Sequence, residues 1–304
     1  MREVANSNNR VVDVITFLSA HPTEAFTLSQ LAERVGMSLG SAHRTLATLT
    51  EARFVARHPK HKTYTLGVAL VAIGQSALEK HRSIEVARRE LASLGVELRA
   101  QCTAAVVVDG EILILAREGA PRTHDAISRV GERRPFIPPL GLCHVAWASE
   151  RELKAFLESA PFAPQDPRHA HLRRAVELVC ARGYSIAGDG PTIRNLRQIS
   201  RVPIGGPRTE DNRQSVLAAI ASLSHEEIQL ENLDATPAPS VSYISAPVFG
   251  PSGEVDLELT VSGLSSNMNS IEIKRCAEQL LATASRVTIE THGRLPKPFP
   301  SHSA

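Results

Sequence analysis

Three groupings in this sequence carry residue types whose spacing suits chemistry. Cys143 and His144 are adjacent, a thiol beside the imidazole that a nucleophile would need as its base. Neighbouring residues on a helix point about 100° apart and rarely meet, so the pair is a weak catalytic unit. His169 and His171 offer two imidazoles to a metal, but no third ligand stands at a sensible spacing, and an exposed helix start accounts for them better. Asp256, Glu258, Thr260 and Ser262 alternate with Val255, Leu257, Leu259 and Val261. A period of two puts the first set on one sheet face and the second in a core. The polar set is then a binding surface or a solvated or subunit-facing side. No P-loop or GxGxxG is present, and Gly205-Gly206 reads as a turn.

A denser grouping lies between Thr27 and Phe54. Leu28, Leu31, Ala32 and Val35 recur at helical spacing behind Thr27, a residue type suited to capping, and Gly36 suits the stop. A second helix follows with Ser38 as its cap and Leu39, Ala42, Leu46 and Leu49 as its buried stripe. Its other side carries Gly40, Ser41, His43, Arg44, Ala47 and Thr48, small or hydrogen-bonding residues. That surface is slim enough for the major groove of DNA and holds donors for base edges and phosphates. Arg44 suits a bidentate contact to guanine or a phosphate contact. An ordinary helical hairpin in another kind of domain is the alternative. A first helix from Arg10 to Ala20 precedes this pair, and a basic hairpin around Pro59–Lys62 follows it. Three helices and a basic hairpin describe a winged helix-turn-helix, with Lys60 and Lys62 over the phosphate backbone; a solvated charged hairpin is the competing account.

Composition sets the outer limits. The chain has 304 residues, 42% hydrophobic and 22% charged, ordinary for one large or two moderate globular domains. No apolar run approaches the roughly 18–20 residues a bilayer span needs, and MREVANSNNR lacks the apolar core of a signal peptide. Cys102, Cys143, Cys180 and Cys276 have neither paired nor CxxC spacing, so reduced thiols and a cytoplasmic location are expected. The net charge of +2 argues for no partner by itself. Between Arg44 and Lys62, however, five basic residues face one acid, a local patch of the kind phosphate neutralisation requires.

Beyond the hairpin, Leu66, Leu70, Ile73 and Ala77 predict a linking helix that also buries its stripe, and Ile84 to Leu98 another helix. Two β runs meet at Asp109-Gly110, a hairpin dipeptide. A short strand is expected over Ala126–Val130, capped helices after Ser149 and through Leu172–Arg182, and a strand at Tyr184–Ala187. A second hairpin, Val241–Phe249 with Glu254–Ser262, precedes a helix over about Ile271–Thr291. This is an α+β arrangement with a mostly antiparallel sheet. The expected divisions are a DNA-binding domain at 1–66, a linker helix at 67–82 and a second domain at 83–292. Residues 191–238 form an atypical insertion in which Ser224 and Glu227 make a capping box, and a disordered tail occupies 293–304.

In RVVDVITFLS, the Thr27–Val55 block, the wing ending in YTLG, DGEILILARE, ARGY and SAPVFGPSGEVDLELTVSG, the chain resembles the IclR family of bacterial transcriptional regulators. The resemblance runs from Arg10 to about Thr291, and the order of motifs is its most specific feature. It implies a winged helix joined by a helix to a GAF/PAS-like effector-binding domain, assembled as dimers or dimers of dimers. It also implies double-stranded operator DNA as partner, with a small organic acid or aromatic metabolite as effector, no cofactor and no membrane. The implied DNA contacts are Thr27, Ser38, Gly40, Ser41, His43, Arg44, Thr48, Lys60 and Lys62. The implied pocket holds Pro139, Leu140, Gly141, Asp189, Tyr243, Glu258, Thr260 and Ser262. The chain departs from the family in two places. Gly141-Leu142-Cys143-His144, preceded by Pro138-Pro139-Leu140, stands where the family has a small polar loop, and about sixty residues separate Gly183 from the APVF strand. Glu258 and Asp256 would repel an anionic effector unless an arginine compensates, which leaves hydroxylated, cationic and aromatic ligands open. A DNA-tethered enzyme using Cys143 and His144, and an architectural regulator without ligand, are the other functional readings.

Overall fold

The computed structural model describes residues 9–120, 128–163, 165–202, 209–297 and 299. Two compact units divide between His81 and Arg82, with Val202 grouped with the first. The first runs α1 (Asn9–Ala20), β1 (Phe26–Thr27), α2 (Leu28–Val35), α3 (Leu39–Glu51), β2 (Val55–Arg57), β3 (Thr63–Leu66) and α4 (Ala69–Lys80). Local chemistry sets these boundaries. The Thr27 hydroxyl accepts from the Gln30 amide at 3.4 Å while the Gln30 side chain accepts from the Thr27 amide at 2.8 Å, a reciprocal capping box that opens α2. Gly36, at φ 69°, closes the same helix in the left-handed region. Ser38 caps α3 by accepting from the Ser41 amide at 3.3 Å. Val14, Leu18, Leu31, Leu46, Leu49, Val55 and Tyr64 close the core.

Four details differ from the sequence reading. Leu39 is 58% exposed, because it is the first residue of α3 and the buried stripe begins one turn later at Ala42. The hairpin gains a third strand, in the order β1-β3-β2, since Phe26 and Thr27 pair with Tyr64 and Thr63. The linking helix starts at Ala69 rather than Leu66, which is still strand. Gly67 intervenes, its amide donating to Phe54 at 2.8 Å, so close to the Arg53 carbonyl that a side chain would collide there. Among the described residues none covers α4, which buries no side chain and turns Val71 and Ile73 outward, so the burial expected for its stripe is not found there.

The second unit runs α5 (Arg82–Leu98), β4 (Gln101–Val108), β5 (Glu111–Glu118), β6 (Arg133–Pro135), α6 (Leu142–Val145), α7 (Glu150–Glu158) and α8 (Pro167–Arg182). It continues with β7 (Ser185–Gly188), α9 (Pro191–Ile199), α10 (Glu210–Ala221), α11 (His225–Ile228), β8 (Val241–Phe249), β9 (Val255–Ser262) and α12 (Ser270–Glu290). Its six strands form an antiparallel sheet in the order β6-β5-β4-β9-β8-β7. Asp109 and Gly110, at φ 50° and 73°, make the tight turn their types predict. Helices α5 and α12 pack on one face of the sheet. On the other lie α6 to α11, whose buried side chains, among them Phe156, Leu172, Ile193 and Ile220, form a second hydrophobic layer.

The insertion is built rather than loose: it supplies α9, α10 and α11, and Ser224 and Glu227 form the expected capping box. The strand expected at Ala126–Val130 falls partly outside the described residues, and 128–130 is not strand. Instead Arg133–Pro135 pairs with β5. Much of the expected disordered tail is docked. The Gly293 amide donates to Thr288 at 2.7 Å, the Arg294 amide to Gly250 at 2.9 Å, and the Phe299 ring lies 5.3 Å from that of Phe249 and 5.7 Å from that of Trp147. One apolar ring near the end gives this polar segment something to bury. Residues 1–8 and 301–304 lie outside the described residues.

Candidate functional site

Two places concentrate polar chemistry, one in each unit. On α3, Gly40, His43, Arg44, Ala47 and Thr48 form a continuous exposed face. Thr48 returns its hydroxyl to the Arg44 carbonyl at 3.2 Å, which keeps that side of the helix slim. Three hydroxyls that the sequence placed with this face serve the fold instead. Thr27 and Ser38 are spent as caps, and Ser41 is buried and accepts from the Arg10 guanidinium at 2.8 Å. The wing turn is tied by His58, whose Nδ1 accepts from the amides of Lys60 at 3.2 Å and His61 at 3.1 Å. Lys62 adopts φ 55°, and the Lys60 and Lys62 ammonium groups project into solvent.

In the second unit, strand register brings Tyr243, Glu258, Thr260 and Ser262 to one sheet face. Tyr243 stands opposite Ser262, Ser245 opposite Thr260 and Pro247 opposite Glu258. The Ser245 and Thr260 hydroxyls are 2.8 Å apart. Above this face α6 packs on β8 and β9, and the Cys143 thiol donates to the Ser245 carbonyl at 3.1 Å. Pro139 and Leu140 are buried in the covering layer, and Tyr243 packs against the cluster that includes Leu140. Gly141, at φ 92°, starts α6 with its Cα against the Phe136 ring, where a side chain would not fit. Asp189 sits at the rim, its carboxylate accepting from Arg194 at 2.7 Å.

The residues that sequence reasoning missed are arginines. Arg134 of β6, Arg197 of α9 and Arg201 just beyond it converge on this interior. Arg134 donates to the Ser128 hydroxyl at 2.8 Å, and both Arg134 and Arg201 lie 3.9 Å from one oxygen of Glu132. Arg197 reaches the Ser242 hydroxyl at 3.2 Å and its carbonyl at 3.4 Å. Burial, and then the positive charge of Arg134 and Arg201, pulls the Arg197 guanidinium down to about 10. Burial also lowers Arg134, against the pull of Glu132. Glu258 is pushed up to about 7 by burial, with the Ser245 hydroxyl and Arg134 acting the other way. Tyr243 is raised by burial and by Glu258. A signal for Arg197 was present: Ile193, Leu196, Arg197 and Ser200 occupy one buried helical stripe, and a cation in such a stripe marks a site. An open cleft of about 330 Å³ beside α5 and α12 has Glu97, Met268 and Gln279 among its walls and contains none of these groups.

Cys143 and His144 do not form a nucleophile and base. Burial drives the Cys143 thiol well up, so it stays protonated, and drives His144 down to about 4. The His144 ring sits edge-on to Phe136 at 6.0 Å. His169 and His171 do lie at a helix start, in the first turns of α8, but neither is exposed. His169 packs on Phe162, and the buried His171 contacts the His225 carbonyl at 2.9 Å and stacks on its ring at 4.4 Å.

A basic-winged helix-turn-helix in one chain with a separate antiparallel-sheet domain defines a DNA-binding transcriptional regulator. Residues 9–59 match the IclR helix-turn-helix domain. That unit is an IclR-type helix-turn-helix, and the chain as a whole is similar to IclR-family transcriptional regulators. It is 24% identical to the HTH-type transcriptional regulator XynR of Escherichia coli over 60% of this chain and 74% of that one. A 26% match to KdgR of Dickeya chrysanthemi spans 45% of that regulator. Among solved structures, an IclR transcriptional regulator from Alicyclobacillus acidocaldarius superposes with a TM-score of 0.62 at 21% identity, over 94% of this chain and 98% of that one. An IclR homologue from Microbacterium hydrocarbonoxydans, itself complexed with 4-hydroxybenzoate, superposes with a TM-score of 0.59 at 18% identity, over 94% and 99%. Among the described residues no helix is long and apolar enough to cross a membrane.

Proposed function

We propose that this protein is a transcription regulator, without catalytic activity of its own, whose affinity for operator DNA is set by a small metabolite held in the second unit. The observation that carries the reading is the polar sheet face with buried guanidiniums above it, in the same chain as a DNA-reading helix. A polar interior of this kind is costly to fold and is retained where it binds something. The homologue complexed with 4-hydroxybenzoate supports a small-molecule effector. On the DNA side, Gly40, His43, Arg44 and Thr48 read the major groove, and Lys60 and Lys62 hold the backbone. Thr27, Ser38 and Ser41 act there by shaping the helices. Operators read by such proteins are matched by paired copies, and the uncovered Val71 and Ile73 of α4 are available for self-association. A cytoplasmic location follows from the DNA partner.

The test is operator binding by the full chain with and without candidate metabolites. Release or tightening on DNA, with the ligand recovered unchanged, is the expected result. Turnover abolished by Cys143→Ala would establish the enzyme reading instead.

A further inference from the structure

Leu39 stands apart from the other leucines of its helix. Its spacing with Ala42, Leu46 and Leu49 asks for the core, yet those three are buried and Leu39 is 58% exposed. Among the described residues of α2 and α3 no other large apolar side chain is exposed. The fold has no use for a leucine here. Ser38 already supplies the cap of α3, Gly36 has already ended α2, and alanine would serve the helix at least as well. The neighbours show what the side chain is placed to meet. Residues four apart on a helix stand above one another, so the exposed face of α3 is two ridges. Leu39, His43 and Ala47 form one, and Gly40, Arg44 and Thr48 the other. Arg44 lies back along its ridge, one guanidinium nitrogen 4.0 Å from where a Gly40 side chain would begin. Its donors therefore reach the first turn of the helix, next to Leu39.

Resting on the reading of α3 as the DNA-reading helix, we propose that Leu39 is a specificity residue that packs on the C5-methyl group of a thymine in the major groove, beside the base pair that Arg44 reads. The floor of that groove is polar except where a thymine presents its methyl, and the N-terminal residues of a recognition helix are the ones that reach base edges. Leu39 is the first residue of α3 and lies on its exposed face. The contact removes two apolar surfaces from water and makes no hydrogen bond. Cytosine at the same place presents an N4 amine toward the groove and no methyl, and a leucine has nothing to accept that donor, so its desolvation goes uncompensated. The two ridges then divide the work. Arg44 supplies the donors for hydrogen-bonding edges, and Leu39 distinguishes a 5-methylpyrimidine from a bare one.

The experiment uses the full chain to select its preferred duplex from a random library. Each thymine of that duplex is then replaced in turn by deoxyuridine, which removes the methyl and keeps every hydrogen-bonding group. At least one such replacement is expected to weaken wild-type binding by about fourfold, the worth of one buried methyl. Leu39→Ala should bind the thymine and deoxyuridine duplexes equally at that position, while keeping the wild-type melting temperature and affinity for random DNA. Deoxyuridine also alters duplex stiffness, so the difference between wild type and Leu39→Ala isolates the contact. Deoxyuridine tolerated at every position overturns the proposal. So does an equal loss in wild type and Leu39→Ala, or a Leu39→Ala defect as large on random DNA as on the selected duplex. The scan of wild type needs no variant, so it decides even if Leu39→Ala folds poorly. The two readings fail separately. A selected duplex whose preference depends on Arg44 but on no thymine methyl keeps α3 as the reading helix and removes Leu39 from it. Failure to enrich any sequence removes both.

Discussion

The two units place their polar chemistry on opposite sides of their cores. In the first, the hydroxyls inside are spent on caps, and the charges of Arg44, Lys60 and Lys62 stand in water. In the second, Arg134, Arg197, Glu258 and Tyr243 are inside, and their pKa values are displaced by burial. A surface built for a large polyanion needs only exposed charge, because DNA brings its own field. A site for a small molecule must remove water, so its charges raise the cost of folding.

That contrast can be broken first at Glu258. Its folded pKa of about 7 lies above the ordinary carboxylate value, so the folded state holds the extra proton, and stability falls as pH rises from about 4.5 through about 7. His144, at about 4, has the opposite sign: the unfolded chain binds more protons there, and stability rises with pH from about 4 to about 6.5. The two nearly offset in wild type. Glu258→Gln removes the falling limb, so its stability relative to wild type should grow by on the order of 2–3 kcal/mol between pH 5 and pH 8 in urea titrations. A difference that does not change with pH would mean that Glu258 is not enclosed.

Next is Arg44→Ala, which should leave the melting temperature unchanged while costing about 1–3 kcal/mol of discrimination between operator and random DNA. Equal losses on both would turn Arg44 into a backbone contact. Ser38→Ala attacks the same face from within. Loss of the α3 cap should cost about 1 kcal/mol of stability, read from the first unit's unfolding, with DNA affinity falling only in proportion. The smallest change is expected of the wing: Lys60→Ala with Lys62→Ala should lower the slope of log affinity against log salt by about 2 with sequence preference kept.

What the sequence made legible was local. Thr27, Gly36, Ser38 and Asp109-Gly110 announce their roles because each acts within a few residues, and period-two alternation in β9 placed Glu258, Thr260 and Ser262 together without any knowledge of their partners. The arginines near that sheet face were not legible in the same way. Arg134 comes from an edge strand of three residues and Arg197 from an inserted helix, so their meeting depends on tertiary packing. Ser41 looked like a base contact because its type fits one, and only the Arg10 hydrogen bond across 31 residues shows where its oxygen is used. Phe299 likewise stands alone in a polar tail, and its burial depends on Trp147 and Phe249 arriving from elsewhere.

The Glu227 carboxylate has a consequence for motion. One oxygen holds the amides at the start of α9, while the other accepts from the Ser224 amide and hydroxyl at the start of α11. Two residues on, the Gln229 side chain accepts from the Ser185 hydroxyl and the Ile186 amide of β7. The bonds therefore run in series from α9 through one carboxylate into α11 and, by Gln229, onto the sheet's edge strand. A displacement of α9 along its axis must either break the two charge-assisted bonds to Glu227 or carry α11, and with it β7, along.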